Sequence, residues 1–74
     1  MMDPKPPENI IRLTRRQKQC LRLLAEGMTA RACARDLGIS VRMVRMHLQG
    51  ARLRLGAVSS AQAVYIALKN GLLD

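Results

Sequence analysis

The sequence predicts an all-α fold of four helices, and three observations lead there. A hydroxyl-bearing residue able to cap a helix start opens each of four segments: Thr14, Thr29, Ser40, and Ser59 or Ser60. A glycine stands where each segment should stop, at positions 27, 38, 56 and 71. Between start and stop, apolar residues return every three or four positions, the period of a helix with one buried face.

Before the first of these segments lies a flexible lead-in, residues 1–12, in which Pro4, Pro6 and Pro7 oppose helix formation. The folded domain is expected over residues 13–74. In the first helix Thr14 is the cap, and Gln17, three residues on, completes a capping box. Cys20, Leu21 and Leu24 then follow the helical period until Gly27 ends it after Glu26. Thr29 opens a short second helix whose Ala30, Cys33, Ala34 and Leu37 form its apolar stripe, closed by Gly38. Ser40 caps the third helix, and Ile39 can staple against Val44 to fix its angle of entry. The short turn at Gly38 and Ile39 couples helices two and three at a steep angle. After Leu55, the Gly56-Ala57 turn leads to a last helix running to about Asn70, with Gly71 as its stop.

The chain of 74 residues has 49% apolar residues but almost no large rings, which suits a small core of Leu, Ile, Val, Met, Cys and Ala. A domain of this size has no room for a buried active site, so it acts through its surface. Lys plus Arg number 13 against 5 acids, a net charge of +8, which suits a polyanionic partner. From Arg12 to Arg54 eleven basic residues face only Glu26 and Asp36, so that portion is the one expected to meet it. Tyr65 is the single aromatic residue, and binding of single strands by base stacking needs more. Double-stranded DNA remains open, as does an anionic lipid surface.

The first nine residues hold no apolar signal core, and the longest uncharged run, Leu55 to Leu68, contains Ser59, Ser60 and Gln62. A cytoplasmic, nucleoid-associated protein without a membrane partner is expected. Cys20, Cys33 and His47 lack the spacing of zinc ligands, so no metal or cofactor is expected and both cysteines read as core residues. The five acids form no evident acid/base pair, and there is no glycine-rich phosphate loop, so the chain reads as a non-enzyme.

The third helix carries the functional argument. At 3.6 residues per turn, Val41, Val44, Leu48, Ala51 and Leu55 share an arc about 80° wide that must face the core. Arg42, Arg45, Met46, Gln49 and Leu53 share a second arc about 100° wide, with Arg52 at its edge. A solvated face usually mixes charge signs, yet Val41 to Leu55 contains four Arg and no acid. In the major groove Arg bonds guanine O6 and N7, Gln pairs with adenine, and Met can touch a thymine methyl. Arg45, Met46 and Gln49 are therefore the expected base contacts. Phosphate contacts are expected from the helix starts at Thr29 and Ser40, from Arg31 and Arg42 in the first turns, and from His47, Arg52 and Arg54.

The stretches LTRRQKQCLRLLAEGMT, ARDLGIS, VRMVRMHL, RLG and AVYIALKNGLL together resemble the DNA-binding domain of the LuxR/FixJ family of bacterial transcription regulators. The resemblance runs from Leu13 to Leu73. It implies a LuxR-type helix-turn-helix fold with helix three in the major groove and helix four forming a dimer contact. It also implies base-facing roles for Arg45, Met46 and Gln49 and backbone contacts for Arg31 and His47. Gln17, Cys33, Met43 and Arg54 depart from the family's usual Glu, Ile, Thr and Lys. The lost Thr hydroxyl at 43 removes a phosphate donor, and the lost acid at 17 removes a charge. Read as a complete chain, it resembles the family's small free-standing effectors, which implies control by abundance or by a partner; the other reading is a domain excised from a longer regulator.

On the last helix Ala61, Val64, Ala67 and Leu68 are expected to face the core, leaving Ala63, Tyr65 and Ile66 outside as a homodimer interface. Such a dimer would form on DNA and present two third helices to half-sites about one turn apart. The reading of a different class is a protein-interaction module that binds another regulator or RNA polymerase.

Overall fold

The computed structural model describes residues 11–73, and these form four helices: α1 Arg15–Ala25, α2 Ala30–Leu37, α3 Val41–Leu55 and α4 Ser60–Lys69. The expected lead-in lies outside the described residues except for Ile11 and Arg12. Each helix starts where the sequence predicts. The Thr14 hydroxyl accepts the Gln17 N–H at 3.0 Å while Gln17 Oε1 accepts the Thr14 N–H at 2.9 Å, which closes the capping box. Thr29, Ser40 and Ser59 accept from the backbone N–H of Ala32, Met43 and Gln62. The alternative between two serines is thus settled for Ser59. Gln62 adds a return bond, its Oε1 accepting the Val58 N–H at 2.7 Å.

The helix ends share one device. The N–H of the residue after each glycine (Met28, Ile39, Ala57 and Leu72) donates to the carbonyl five positions back, and each of these four side chains packs on the core. At Gly38 the backbone takes φ 69°, a left-handed conformation in which a Cβ would be strained, and this reverses the chain within the three residues between α2 and α3.

α3 and α1 each pack against all three of the other helices, so the two together form the centre of the fold. Val44, Leu48, Ala51 and Leu55 are buried, and Val41 packs against the cluster they form with Leu13, Cys20, Leu21, Cys33, Ala34, Ala63, Ala67 and Leu73. Both chain ends of the domain are tied down by arginines. Arg22 donates from Nε and Nη2 to the Leu73 carbonyl at 3.1 and 2.8 Å, and Arg54 donates to the carbonyl of Arg12.

Gln17 and Gly50 lie in close contact across α1 and α3. A Cβ at Gly50 would stand 2.7 Å from Gln17 Nε2, so the bare glycine is what lets the Gln17 amide lie against α3. A glycine inside a helix costs about 1 kcal/mol relative to alanine. Gly50→Ala should gain that amount only where Gln17 does not have to move. We expect Gly50→Ala to stabilise a Gln17→Ala background by about 1 kcal/mol and to stabilise the wild type by less, a coupling that a double-mutant cycle of urea titrations measures. Equal gains in both backgrounds would show that the amide is not displaced.

The last helix departs from expectation. Ala63 is wholly buried and belongs to the core, while Ile66 is half-buried against it; Ala61 and Leu68 are exposed instead. Ala63 therefore has no surface to offer a partner. The reason lies in side-chain size: α4 is apolar on most sides, and the small pair Ala63 and Ala67, one turn apart, lets its backbone approach the other helices closely. Tyr65 remains outside at 61% exposure, with Ala61 and Leu68 beside it on one helical stripe.

Candidate nucleic-acid interface

The outer side of α3 is the surface to which the fold gives no internal use. With Val44, Leu48, Ala51 and Leu55 pointing inward, Arg42, Arg45, Met46, Gln49 and Leu53 are all exposed, and Met46 and Leu53 reach 55% and 77% exposure. The two acids of the described residues, Glu26 and Asp36, lie at the end of α1 and within α2, and α3 has none. The arc is therefore a cationic ridge interrupted by one amide and two apolar side chains.

One flank of the ridge is a shallow cleft lined by Arg45, Gln49, Arg52, Leu48, Leu24, Ala30 and Ser60. Ala30 opens α2 and Ser60 opens α4, so two helix starts border the same cleft. Helix starts carry unpaired backbone N–H groups and the positive end of the helix dipole, which favour an anion. Thr29 and Arg31 are exposed at the start of α2, where they flank Ala30. Ser40 and Arg42 are exposed at the start of α3, on the approach to the ridge. His47 is half-buried at the border of the core arc.

Ser60 was not among the residues singled out in the sequence for contact. Its signal was present, since Ser59-Ser60 marks a helix start, but only the folded chain sets that start beside Arg52. Arg54 is the opposite case. It stands nine residues from Arg45, about 180° around the helix, and its guanidinium is taken up by the Arg12 carbonyl. Among the described residues no comparable bond engages Arg42, Arg45 or Arg52. The fold thus gathers Arg42, Arg45, Met46, Gln49 and Arg52 on one side with the α2 start, and leaves Arg54 on the other.

The cysteines belong to the core. Cys20 and Cys33 are free and wholly buried. Burial pushes both thiols above their ordinary range, helped at Cys20 by the nearby Cys33 and at Cys33 by Asp36. They are held as neutral thiols and pack as small hydrophobes. No group of three His, Cys, Asp or Glu among the described residues is placed to hold a metal ion. Among the described residues no helix is long and apolar enough to cross a membrane.

Comparison with known proteins identifies the family and the fold. Residues 12–67 match the family described as GerE, bacterial regulatory proteins of the luxR family. The chain is 38% identical over 69 residues to the transcriptional regulatory protein YdfI of Bacillus subtilis, covering 93% of this chain and 32% of that protein. It is 34% identical over 62 residues to the transcriptional activator protein LuxR of Aliivibrio fischeri, covering 25% of that protein. The chain therefore spans a third or less of these longer relatives. The spore germination protein GerE of Bacillus subtilis is similar in size: 36% identity over 62 residues covers 84% of each chain. The solved structure of the transcription factor GerE superimposes with a TM-score of 0.77 at 30% identity, over 84% of this chain and 96% of that one. On the family match, the identity to a relative of its own size and the shared four-helix fold, this chain belongs to the luxR family of bacterial regulatory proteins and is a helix-turn-helix domain of that family.

Proposed function

We propose that this protein is a sequence-specific regulator of transcription that binds double-stranded DNA with α3 in the major groove. The observation that carries the reading is the acid-free outer arc of α3, where Arg45, Met46 and Gln49 are exposed while the opposite arc is locked into the core. Each of the three has a partner on a base edge: guanine for Arg45, the thymine methyl for Met46, adenine for Gln49. Phosphates are held from the flanks by the starts of α2 and α3 through Thr29, Arg31, Ser40 and Arg42, and by His47 and Arg52. Two copies associate on DNA through the exposed stripe of α4 centred on Tyr65, which presents two α3 helices to a palindromic site. Action on RNA polymerase or on another regulator would follow from that placement.

Phosphate binding has a direct signature. Each neutralised phosphate contributes about 0.9 to the slope of log affinity against log salt on duplex DNA. Arg31→Ala should lower the slope by about 1 and weaken binding to all sequences alike, as fluorescence anisotropy over a salt series would record. A salt-independent affinity, or an unchanged slope in the variant, would remove Arg31 from the backbone contacts. A flat salt response of the wild type would favour the protein-interaction reading, since an apolar patch on α4 does not release counterions.

A further inference from the structure

We propose that Leu53 is a fourth base-reading residue, and that together with Met46 it reads the C5-methyl groups of two thymines no more than about three base-pair steps apart. This inference rests on the entry of α3 into the major groove and adds a sequence requirement to it.

A single exposed leucine needs no explanation, because much of any protein surface is apolar. Leu53 differs by its position. At 77% exposure it is far from the core, yet it lies on the same stripe of α3 as the proposed base contacts. Arg42, Met46, Gln49 and Leu53 follow the spacing i, i+4, i+7, i+11, which keeps them in register along one side of the helix. Among the described residues, the other exposed large aliphatic side chains, Val58 at 87% and Leu68 at 57%, lie in the α3–α4 turn and on α4, not on that stripe.

The chemistry of the stripe is ordered along its length. Arg42 opens it near the start of α3, Arg45 follows beside it, and Met46, Gln49 and Leu53 lead toward the C-terminal end. Leu53 has no donor or acceptor, so it cannot bind phosphate or a polar base edge. In a major groove the apolar group open to it is the thymine methyl. Met46 and Leu53 are seven residues apart, about 10.5 Å along the helix axis. Successive bases on a strand are about 3.4 Å apart along the duplex axis, so a helix lying obliquely in the groove sets the two methyl contacts no more than about three steps apart. Gln49 lies between them. A half-site read this way carries two thymine-bearing pairs that bracket the pair read by Gln49.

The test uses random duplex pools, one made with thymine and one with deoxyuridine, which differs only by the missing methyl. The wild-type chain, Leu53→Ala and Met46→Ala are each used for selection, followed by affinity measurements on the enriched duplex. Both side chains are exposed, so the variants fold. We expect the thymine pool to yield a site with two thymines within about three steps of each other, and deoxyuridine at either one to weaken wild-type binding about fourfold, the value of one buried methyl-sized group. Leu53→Ala should be indifferent to deoxyuridine at one thymine and still respond at the other, with Met46→Ala giving the converse. If Leu53→Ala keeps the full response at both thymines, or loses affinity equally for thymine and deoxyuridine duplexes, Leu53 does not read a methyl, and the major-groove reading stands without it. If the wild type enriches no sequence from either pool, the major-groove reading itself fails and Leu53 falls with it.

Discussion

Leu21→Ala should bring the domain close to its unfolding midpoint at physiological temperature. Leu21 is the largest of the fully buried side chains, and it lies on α1, which packs against each of the other helices. Truncating a buried leucine to alanine costs about 2–5 kcal/mol, the lost transfer energy plus the cavity left behind. A single core in a domain this small rarely supplies more than about 3–5 kcal/mol in all. The substitution therefore removes most of the folding free energy. Urea titration followed by circular dichroism should find the variant's midpoint near zero denaturant, and a midpoint within a few tenths molar of the wild type would refute the core assignment. Leu53→Ala makes the matching control: the same change at an exposed position should alter stability by no more than about 0.5 kcal/mol.

Arg45→Ala should have the largest effect on recognition. A bidentate arginine–guanine contact is worth about 1–3 kcal/mol of discrimination against the wrong base pair. Because Arg45 is exposed and forms part of no core contact, its loss should leave the fold intact and act on binding alone. The signature is selective: preference at one base pair of each half-site should relax by roughly 5- to 150-fold, while preferences set by Met46 and Gln49 persist. Arg54→Ala is the contrast. Its guanidinium ties α3 to the Arg12 carbonyl on the far side of the helix, so its loss should leave base preference unchanged and lower stability modestly, by about 1 kcal/mol.

Much of this was legible before any coordinates. The four starts and stops could be read because capping is local chemistry: a hydroxyl at Thr14, Thr29, Ser40 or Ser59 and a backbone N–H three residues on need no help from the rest of the chain. The phase of α3 was equally clear, since its charged and apolar arcs are distinct. The phase of α4 was not. Its residues are apolar nearly all round, so periodicity gave no unique inner side, and the small size of Ala63 and Ala67 decided it instead. Arg54 and Ser60 show a different limit. A count of charge along a helix does not know that a carbonyl of residue 12 waits for one arginine, nor that the start of α4 folds back beside Arg52. The contact between Gln17 and Gly50, which joins positions far apart in sequence, was invisible for the same reason.

The central claim is that α3 reads base pairs through Arg45. It is tested most directly by incubating the chain with random double-stranded DNA at physiological salt, sequencing the bound fraction, and repeating the selection with Arg45→Ala. The account predicts an enriched palindrome for the wild type, with guanine at one fixed position of each half-site, and loss of that preference alone in the variant. An enriched site that Arg45→Ala recovers unchanged, or no enrichment by the wild type, would contradict it.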